Sequence, residues 1–309
     1  MAEGSHGNPS HAIGEAQSRL WWQQGYLADA PGTRPVNATD PLAAALVICV
    51  LMAAACWALS LVTGNYSQVD RLWSLAPPCY VLLFAWWARF AIPRLNLMAG
   101  LAVLWGARLT YNFARKGGYR RGGEDHRWPE VRRALGPVWF QVLNLTFIAP
   151  FQNLLLLLLA LPAYVAWRVG AKPLTGLDLA AAAAFIIFWL GEAAADQQQW
   201  RFQSAKRAGG AATLGFLSTG LFRYSRHPNF FCEIAMWWCF SLFAVAASGT
   251  WLNPSVAGPA LLTLLFQGST HLTEQITLRK YPLYAQYQRT TSRLLPWRPG
   301  PRTGAGALR

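Results

Sequence analysis

Charged residues are scarce in this sequence of 309 residues, and acidic residues are the scarcest. Lys and Arg number 27 and Asp and Glu 13, so 13% of the chain is charged while 54% is hydrophobic. An average soluble domain is about one quarter charged, and a chain this poor in charge cannot cover a soluble surface. The composition therefore excludes an ordinary soluble domain and favours an integral membrane protein.

Paired cysteines and clustered metal ligands are also missing. The five cysteines lie singly in apolar stretches without a CxxC pair, and the five histidines are scattered without an HExxH motif. Neither disulfides nor a metal site is therefore predicted. The net charge of +14 sits between apolar runs rather than among base-stacking aromatics. This pattern indicates cations that face membrane lipids, and it argues against nucleic acid as a partner.

Long apolar stretches dominate the rest of the chain. About 20 apolar residues cross the hydrocarbon core of a bilayer. The sequence predicts an all-α, polytopic membrane protein with about seven transmembrane helices, at residues 42–62, 72–90, 95–113, 149–167, 177–195, 229–247 and 256–272. Pro77 and Pro78 predict a kink in the second span. A short interfacial helix is expected before the fourth.

The charge distribution predicts the orientation and the domain division. Basic residues cluster after the third span, after the fifth and in the tail, and two spans separate each pair of clusters. Since Lys and Arg stay on the cytoplasmic side, the C-terminus is predicted in the cytosol and the N-terminus outside. Residues 1–40 are predicted to be largely disordered, 41–297 to form the membrane domain, and 298–309 to be a basic disordered tail. The expected location is the endoplasmic reticulum in a eukaryote or the inner membrane in a bacterium.

The most informative polar stretch is residues 220–233, GLFRYSRHPNFFCE. Pro228 suits the first position of a helix, which places Arg226 and His227 at a helix N-terminus that attracts phosphate. Asn229 and Glu233 are four residues apart and share a helix face. A carboxylate for ribose hydroxyls and cations for phosphate suit a nucleotide-like ligand. The alternative is an arginine at the membrane boundary with ordinary helix capping.

This stretch resembles the C-terminal signature of the steroid 5α-reductase superfamily, in the branch whose segment reads close to GLFxYSRHPNYFxE. Further blocks resemble that branch in the same order, and the resemblance covers about residues 60–297. These blocks are residues 70–74 (DRLWS), 104–112 (LWGARLTYN), 124–128 (EDHRW), 196–202 (DQQQWRF) and 280–284 (KYPLY).

The resemblance implies a seven-helix reductase that binds NADPH from the cytosolic side. Its reaction would reduce a carbon–carbon double bond conjugated to a carbonyl in a lipid or steroid-like substrate. The implied cofactor contacts are Asp196, Arg201, Tyr224, Asn229, Glu233 and Tyr281. Arg226 and His227 match the branch, and their role as phosphate contacts rests on the helix-terminus argument.

The catalytic residues depart from the steroid enzymes, in which a Glu of the second helix and a Tyr of the third hold the carbonyl oxygen. A proton donor at that oxygen stabilises the charge that builds there. Here the second-helix block offers Asp70, and Trp105 stands near the position of the Tyr, with Tyr111 nearby. Asp70 and Tyr111 are the candidate catalytic residues. The alternatives are a helix N-cap for Asp70 and an interfacial aromatic for Tyr111.

Three further ionisable groups lie in or near apolar spans. Arg108 is a candidate for binding substrate or cofactor phosphate, or it extends towards the lipid headgroups. Glu274, near the inner boundary of the last span, is a candidate substrate contact. Glu192 lies four residues before Asp196 and shares its face, which also fits a helix that becomes polar as it leaves the membrane.

Two other functions stay open. Isoprenylcysteine and phospholipid methyltransferases, which use S-adenosylmethionine, also carry an RHP turn, a late Glu like Glu274 and a Tyr-x-x-Tyr end like residues 284–287. Asn229, Glu233 and Asp196 favour the reductase over that class. A non-catalytic protein that binds lipid or sterol on the same scaffold is the third possibility. All three would take a lipid-soluble ligand and contact membrane lipids.

Overall fold

The computed structural model describes residues 40–209 and 214–300, and every long regular element within them is a helix. The helices are α1 (Pro41–Thr63), α2 (Gln68–Leu72), α3 (Ala76–Trp87), α4 (Pro93–Arg115), α5 (Arg127–Leu143), α6 (Pro150–Val169), α7 (Gly176–Arg207), α8 (Pro228–Ser248), α9 (Ala257–Lys280) and α10 (Tyr284–Thr290). A π turn, Asn144–Ile148, joins α5 to α6. Short 3-10 turns precede α8 and α9. The all-α prediction is thereby confirmed for the described residues, whereas the predicted disordered segment before residue 40 and the tail after residue 300 lie outside them.

Several helices are long and apolar enough to cross a membrane. In the described part of the chain these are α1, the continuous stretch Arg127–Val169, α7 and α8, and α3 is a shorter apolar helix. This finding confirms a polytopic membrane protein. The total of seven spans and the orientation stay predictions.

The helix ends follow local chemistry. The side chain of Asp40 accepts a hydrogen bond from the backbone N–H of Leu42 at 2.8 Å and begins α1, and Gly64, in the left-handed region, ends it. A capping box between Thr175 and Asp178 begins α7. α8 begins at Pro228, as predicted. α7 continues to Arg207, three turns beyond the predicted span, because residues 196–207 contain no Gly or Pro.

The predicted kink in the second span is wrong. The chain breaks between α2 and α3, and Pro77 and Pro78 lie in the first turn of α3. A proline costs nothing there because the first N–H groups of a helix have no partner within the helix. The break leaves Ser74 buried against α4, where its hydroxyl shares a hydrogen bond with Thr110 at 2.7 Å.

The core forms around α6, which packs against α1, α3, α8 and α9, while α7 and α8 share a long interface. Trp105 of α4 and Trp237 of α8 are fully buried, and their rings meet edge to face at 4.8 Å. At the N-terminal ends of α4 and α7, Arg94 and Asp178 form a fully buried ion pair at 2.7 Å.

Candidate active site

A cavity of about 1000 Å³ lies inside the helix bundle. Its polar lining comes from the C-terminal parts of α4, α7 and α9, from the N-terminal turn of α8 and from the loop before α5. These segments meet at one end of the bundle, near the loops that follow α4 and α7. The polar lining residues are Asp70, Ser74, Asn112, Lys116, Glu124, Asp125, His126, Arg127, Gln152, Glu192, Asp196, Asn229, Glu233, Ser269 and Thr273.

A buried charge cluster joins α4 to α7. The guanidinium of Arg108 lies 2.6 Å from Glu192 Oε1 and 2.8 Å from Asp196 Oδ2. Asn112 Nδ2 donates to Asp196 Oδ2 at 2.7 Å, and Lys116 Nζ lies 3.6 Å from Asp196 Oδ1. Arg108 therefore does not extend to the headgroups, and it does not line the cavity itself. It binds the carboxylates of Glu192 and Asp196, which do line the cavity.

Spacing along two helices produces this cluster. Arg108, Asn112 and Lys116 follow one another at intervals of four on α4, and Glu192 and Asp196 do so on α7, so each set shares a face. Asn112 and Lys116 are absent from the sequence-based prediction, although the same spacing rule that paired Glu192 with Asp196 would have found them.

The predicted face of α8 lines the same cavity. Asn229 and Glu233 lie one turn apart in the first two turns of α8, and both contribute to the lining. The indole N–H of Trp73 donates to Glu233 Oε1 at 3.2 Å. The carboxyl groups of Glu192 and Glu233 adjoin each other. Asp196 completes a floor of three buried carboxyl groups on two neighbouring helices.

Asp70 also lines this cavity. It lies in the first turn of α2, where the indole N–H of Trp128 donates to its Oδ2 at 3.3 Å. Burial and the nearby charge of Asp125 raise the pKa of Asp70, and the opposing effect of Arg127 is smaller. Arg127 is held by Asp125, with its Nε and Nη2 at 2.8 Å and 2.9 Å from the carboxylate. Asp70 is therefore a carboxyl group that tends to keep its proton where it meets the cavity.

Eight of the predicted residues do not line the cavity, and four of these are Tyr111, Arg201, Tyr224 and Tyr281. Tyr111 is 66% exposed and stacks with the guanidinium of Arg115 at 5.4 Å, as an interfacial aromatic would. Arg201 and Tyr224 are exposed. The hydroxyl of Tyr281 accepts a hydrogen bond from Lys206 Nζ at 2.6 Å, and this contact lowers the pKa of Tyr281.

Arg226, His227 and Glu274 form a separate cluster. Arg226 pairs with both oxygens of Glu274 at 2.7 Å and 2.9 Å and also donates to the backbone carbonyl of Gln288. His227 Nε2 lies 2.9 Å from Glu274 Oε1. Burial opposes the ionisation of Glu274, but hydrogen bonds from His227 and Arg226 outweigh it and lower its pKa to about 2.

This cluster fastens the C-terminal segment to the bundle. The backbone N–H groups of Arg226 and His227 donate to the carbonyls of Ser292 and Arg293 at 2.8 Å and 3.1 Å. The predicted phosphate contacts thus already have protein partners. The local sequence pattern could not show these partners, because they lie 47 to 66 residues further along the chain.

The other half of the cavity is apolar. Its walls are Leu143, Phe147 and Phe151, on the stretch from α5 to α6, and Leu261, Leu264, Leu265, Phe266 and Leu272 of α9. The site thus combines an acidic, hydrogen-bonding floor with a wall suited to a hydrocarbon. Among the described residues, no group of His, Cys, Asp and Glu is arranged to hold a metal ion.

The fold and this cavity define a polytopic helical membrane protein with an acid-rich internal site. The family model of DUF1295, a protein family of unknown function, matches residues 56–291, and the chain belongs to that family. The family falls within the steroid 5α-reductase-like group. The chain is similar to Uncharacterized protein C594.04c of Schizosaccharomyces pombe (strain 972 / ATCC 24843), with 40% identity over 277 residues, which are 84% of this chain and 80% of the relative. No solved structure matches the chain.

Proposed function

We propose that this protein is an NADPH-dependent membrane reductase that reduces a carbon–carbon double bond conjugated to a carbonyl in a lipid-soluble substrate. One observation carries the proposal. Asp196, Asn229 and Glu233, which the resemblance implies as cofactor contacts, line a single cavity together with Asp70. The same cavity continues into an apolar half that suits the substrate.

The acidic floor fits the nucleoside part of NADPH. Carboxylates accept hydrogen bonds from ribose hydroxyls and from a carboxamide. Glu192 Oε2 is buried, and no N–H or O–H donor of the described residues reaches it, so a ligand donor would satisfy it. Lys116 has a side chain that is 43% exposed at the edge of the cavity, which makes it the proposed phosphate contact in place of Arg226.

The protein's own groups would assist the reaction in two ways. NADPH, when bound, supplies the hydride. The carboxyl groups of Glu192 and Glu233 would stabilise positive charge that develops beside them, and in a buried site such stabilisation is stronger than in water. Asp70, whose pKa is raised, would donate a hydrogen bond and then a proton to the substrate on the carbonyl side of the double bond.

Methyl transfer is the second candidate, and the same acidic floor favours it. S-adenosylmethionine carries a positively charged sulfonium, which three buried carboxyl groups would attract. A methyl transfer to an oxygen or nitrogen needs a group that accepts a proton, whereas Asp70 is poised to hold one. Because Asp70 suits a reaction that needs a proton donor, we favour the reductase over the methyltransferase.

Ligand binding separates the two candidates. The protein, purified in detergent, is titrated with NADPH and with S-adenosylmethionine while its thermal unfolding is followed. A ligand at 100 times its Kd stabilises the folded state by about 2.7 kcal/mol. We expect NADPH to raise the unfolding temperature and S-adenosylmethionine to leave it unchanged. The opposite pattern would overturn the reductase proposal.

Three variants locate the binding site. Asn229→Ala and Glu233→Gln should each reduce the NADPH-induced shift, because each removes a polar group from the cavity floor. Glu130→Gln, which changes a carboxylate of α5 that pairs with Arg133 outside the cavity, is the matched control and should keep the full shift. If the first two variants also keep it, the proposed cofactor site is wrong.

A further inference from the structure

The apolar half of the cavity reaches the outer surface of the bundle. Leu264 and Gly268 of α9 line the cavity, yet both are exposed, Leu264 to 67%. Phe147 and Phe151, on the other wall, also line it and are only half-buried. Residues that line a cavity and reach the outer surface mark an opening, so the cavity opens sideways between the π turn and α9.

The local backbone explains this opening on both sides. Pro150 has no N–H to continue the α-helical ladder, and the chain forms a wide π turn in which Ala149 N–H donates to Asn144 at 3.1 Å. The turn carries Phe147 into a stacked pair with Phe151, with ring centroids 4.9 Å apart. Such π segments are frequent at functional sites. On the facing helix, a Cβ added to Gly268 would meet no atom within 4 Å.

The predicted seventh span would make this opening face lipid rather than water. Leu261, Leu264, Gly268 and Leu272 form one stripe of α9, and this stripe lies within the predicted seventh span, residues 256–272. An apolar outer surface in a membrane-spanning bundle contacts acyl chains. A molecule dissolved in the bilayer can therefore slide into the cavity without crossing the polar end of the bundle.

Charge restricts which molecules can be held. Six acidic residues line the cavity, and the basic residues on its lining are Lys116, His126 and Arg127. Arg127 is already paired with Asp125, and Lys116 lies beside Asp196. A headgroup that arrives from the apolar side thus meets the Asp70 carboxyl group, which can donate a hydrogen bond to a neutral oxygen, and an acidic floor on which the Lys116 and Arg127 cations already have carboxylate partners, so an anion gains no unpaired cation there.

We propose that a membrane-dissolved molecule with an elongated apolar body and one uncharged polar end enters sideways between Phe147 and Gly268, and that the acidic floor excludes fatty acids and other anionic lipids. The route and the charge preference rest on the cavity itself. The identification of this molecule as the reductase substrate rests on the proposed function.

Photolabelling tests the route. The protein in lipid nanodiscs is irradiated with a long-chain alkyl ketone that carries a diazirine in its chain, and the labelled residues are mapped by mass spectrometry. We expect labelling of the π turn and of the α9 stripe. Gly268→Leu, which fills the opening, should reduce that labelling at least several-fold while labelling of lipid-facing α1 stays constant. An excess of the ketone without the diazirine should likewise reduce labelling of the π turn and of the α9 stripe in the unmodified protein.

Two controls make the result decisive. Gly100→Leu places the same side chain at an exposed position of α4, where an added Cβ also meets no atom within 4 Å, and it should leave the labelling unchanged. A fatty acid with the same diazirine-bearing chain should label the cavity far less than the ketone. The route would be overturned if cavity labelling were equal in Gly268→Leu and in the unmodified protein and if free ketone did not compete. The charge preference would be overturned if the ketone probe and the fatty-acid probe labelled the cavity equally. Since no NADPH is added, a failure of the reductase proposal would leave these outcomes unchanged.

Discussion

The buried pair between Arg94 and Asp178 allows a quantitative test of the fold. Both side chains are at most 1% exposed, and Arg94 contacts both carboxylate oxygens at 2.7 Å and 2.8 Å. Removing one partner of such a pair leaves a buried charge and costs about 3–5 kcal/mol. Arg94→Met should therefore raise the equilibrium constant for unfolding by roughly two to three and a half orders of magnitude.

A double variant tests whether the interaction itself is responsible. Arg94→Met with Asp178→Leu removes both charges, and apolar replacements of a buried pair are often nearly neutral. Most of the loss should be recovered. The remainder is about 1 kcal/mol, because Asp178 also completes the capping box with Thr175.

Equilibrium unfolding in mixed micelles, with increasing denaturing detergent, measures these differences. Arg133→Met is the matched control, because it breaks an exposed pair with Glu130 at 3.0 Å that is worth about 0–1 kcal/mol. Equal losses in Arg94→Met and Arg133→Met would refute the burial of the first pair. A double variant with purely additive losses would refute the coupling.

Three further predictions concern the site and its supports. The pKa of Glu274 is lowered to about 2 in the folded protein, so the stability that its ionised form contributes is present above the unfolded pKa of about 4.3 and is lost as the pH falls towards 2. In acid denaturation, the stabilities of the parent and of Glu274→Gln should therefore converge. Gly106→Ala should destabilise the protein, because its Cβ would lie 2.5 Å from the carbonyl oxygen of Ser74, whereas Gly100→Ala on the same helix should be neutral or gain up to about 1 kcal/mol in thermal unfolding. Asp70→Asn should keep the NADPH-induced shift and lose turnover, and the parent's turnover should fall as the pH rises through the raised pKa of Asp70; unchanged turnover in Asp70→Asn would remove it from the mechanism.

Local signals in the sequence predicted the membrane-spanning character and part of the site. Apolar runs indicate burial in lipid directly. The four-residue spacing of Asn229 and Glu233 places them on one face through the geometry of a single helix. Pro228 at the start of α8 is equally local, since it depends on the missing N–H of a single residue.

Contacts distant in sequence could not be predicted in this way. Arg226 has the same local pattern whether it faces a phosphate or Glu274, which lies 48 residues later. Arg108 meets Asp196 across 88 residues, and only the packing of α4 on α7 makes them neighbours. Pro77 and Pro78 are compatible with a kink or with a new helix, and the break at residues 73–75 decides between them.

One experiment with labelled cofactors tests the proposed reduction most directly. The protein in nanodiscs is incubated with a neutral lipid extract, NADPH deuterated at its transferable hydrogen, and S-adenosylmethionine with a deuterated methyl group. The proposal predicts a lipid product that has gained one deuterium from NADPH, that forms with the parent and the Glu130→Gln control, and that is lost with Glu233→Gln. Transfer of the labelled methyl group instead, or no labelled lipid with the parent protein, would contradict it.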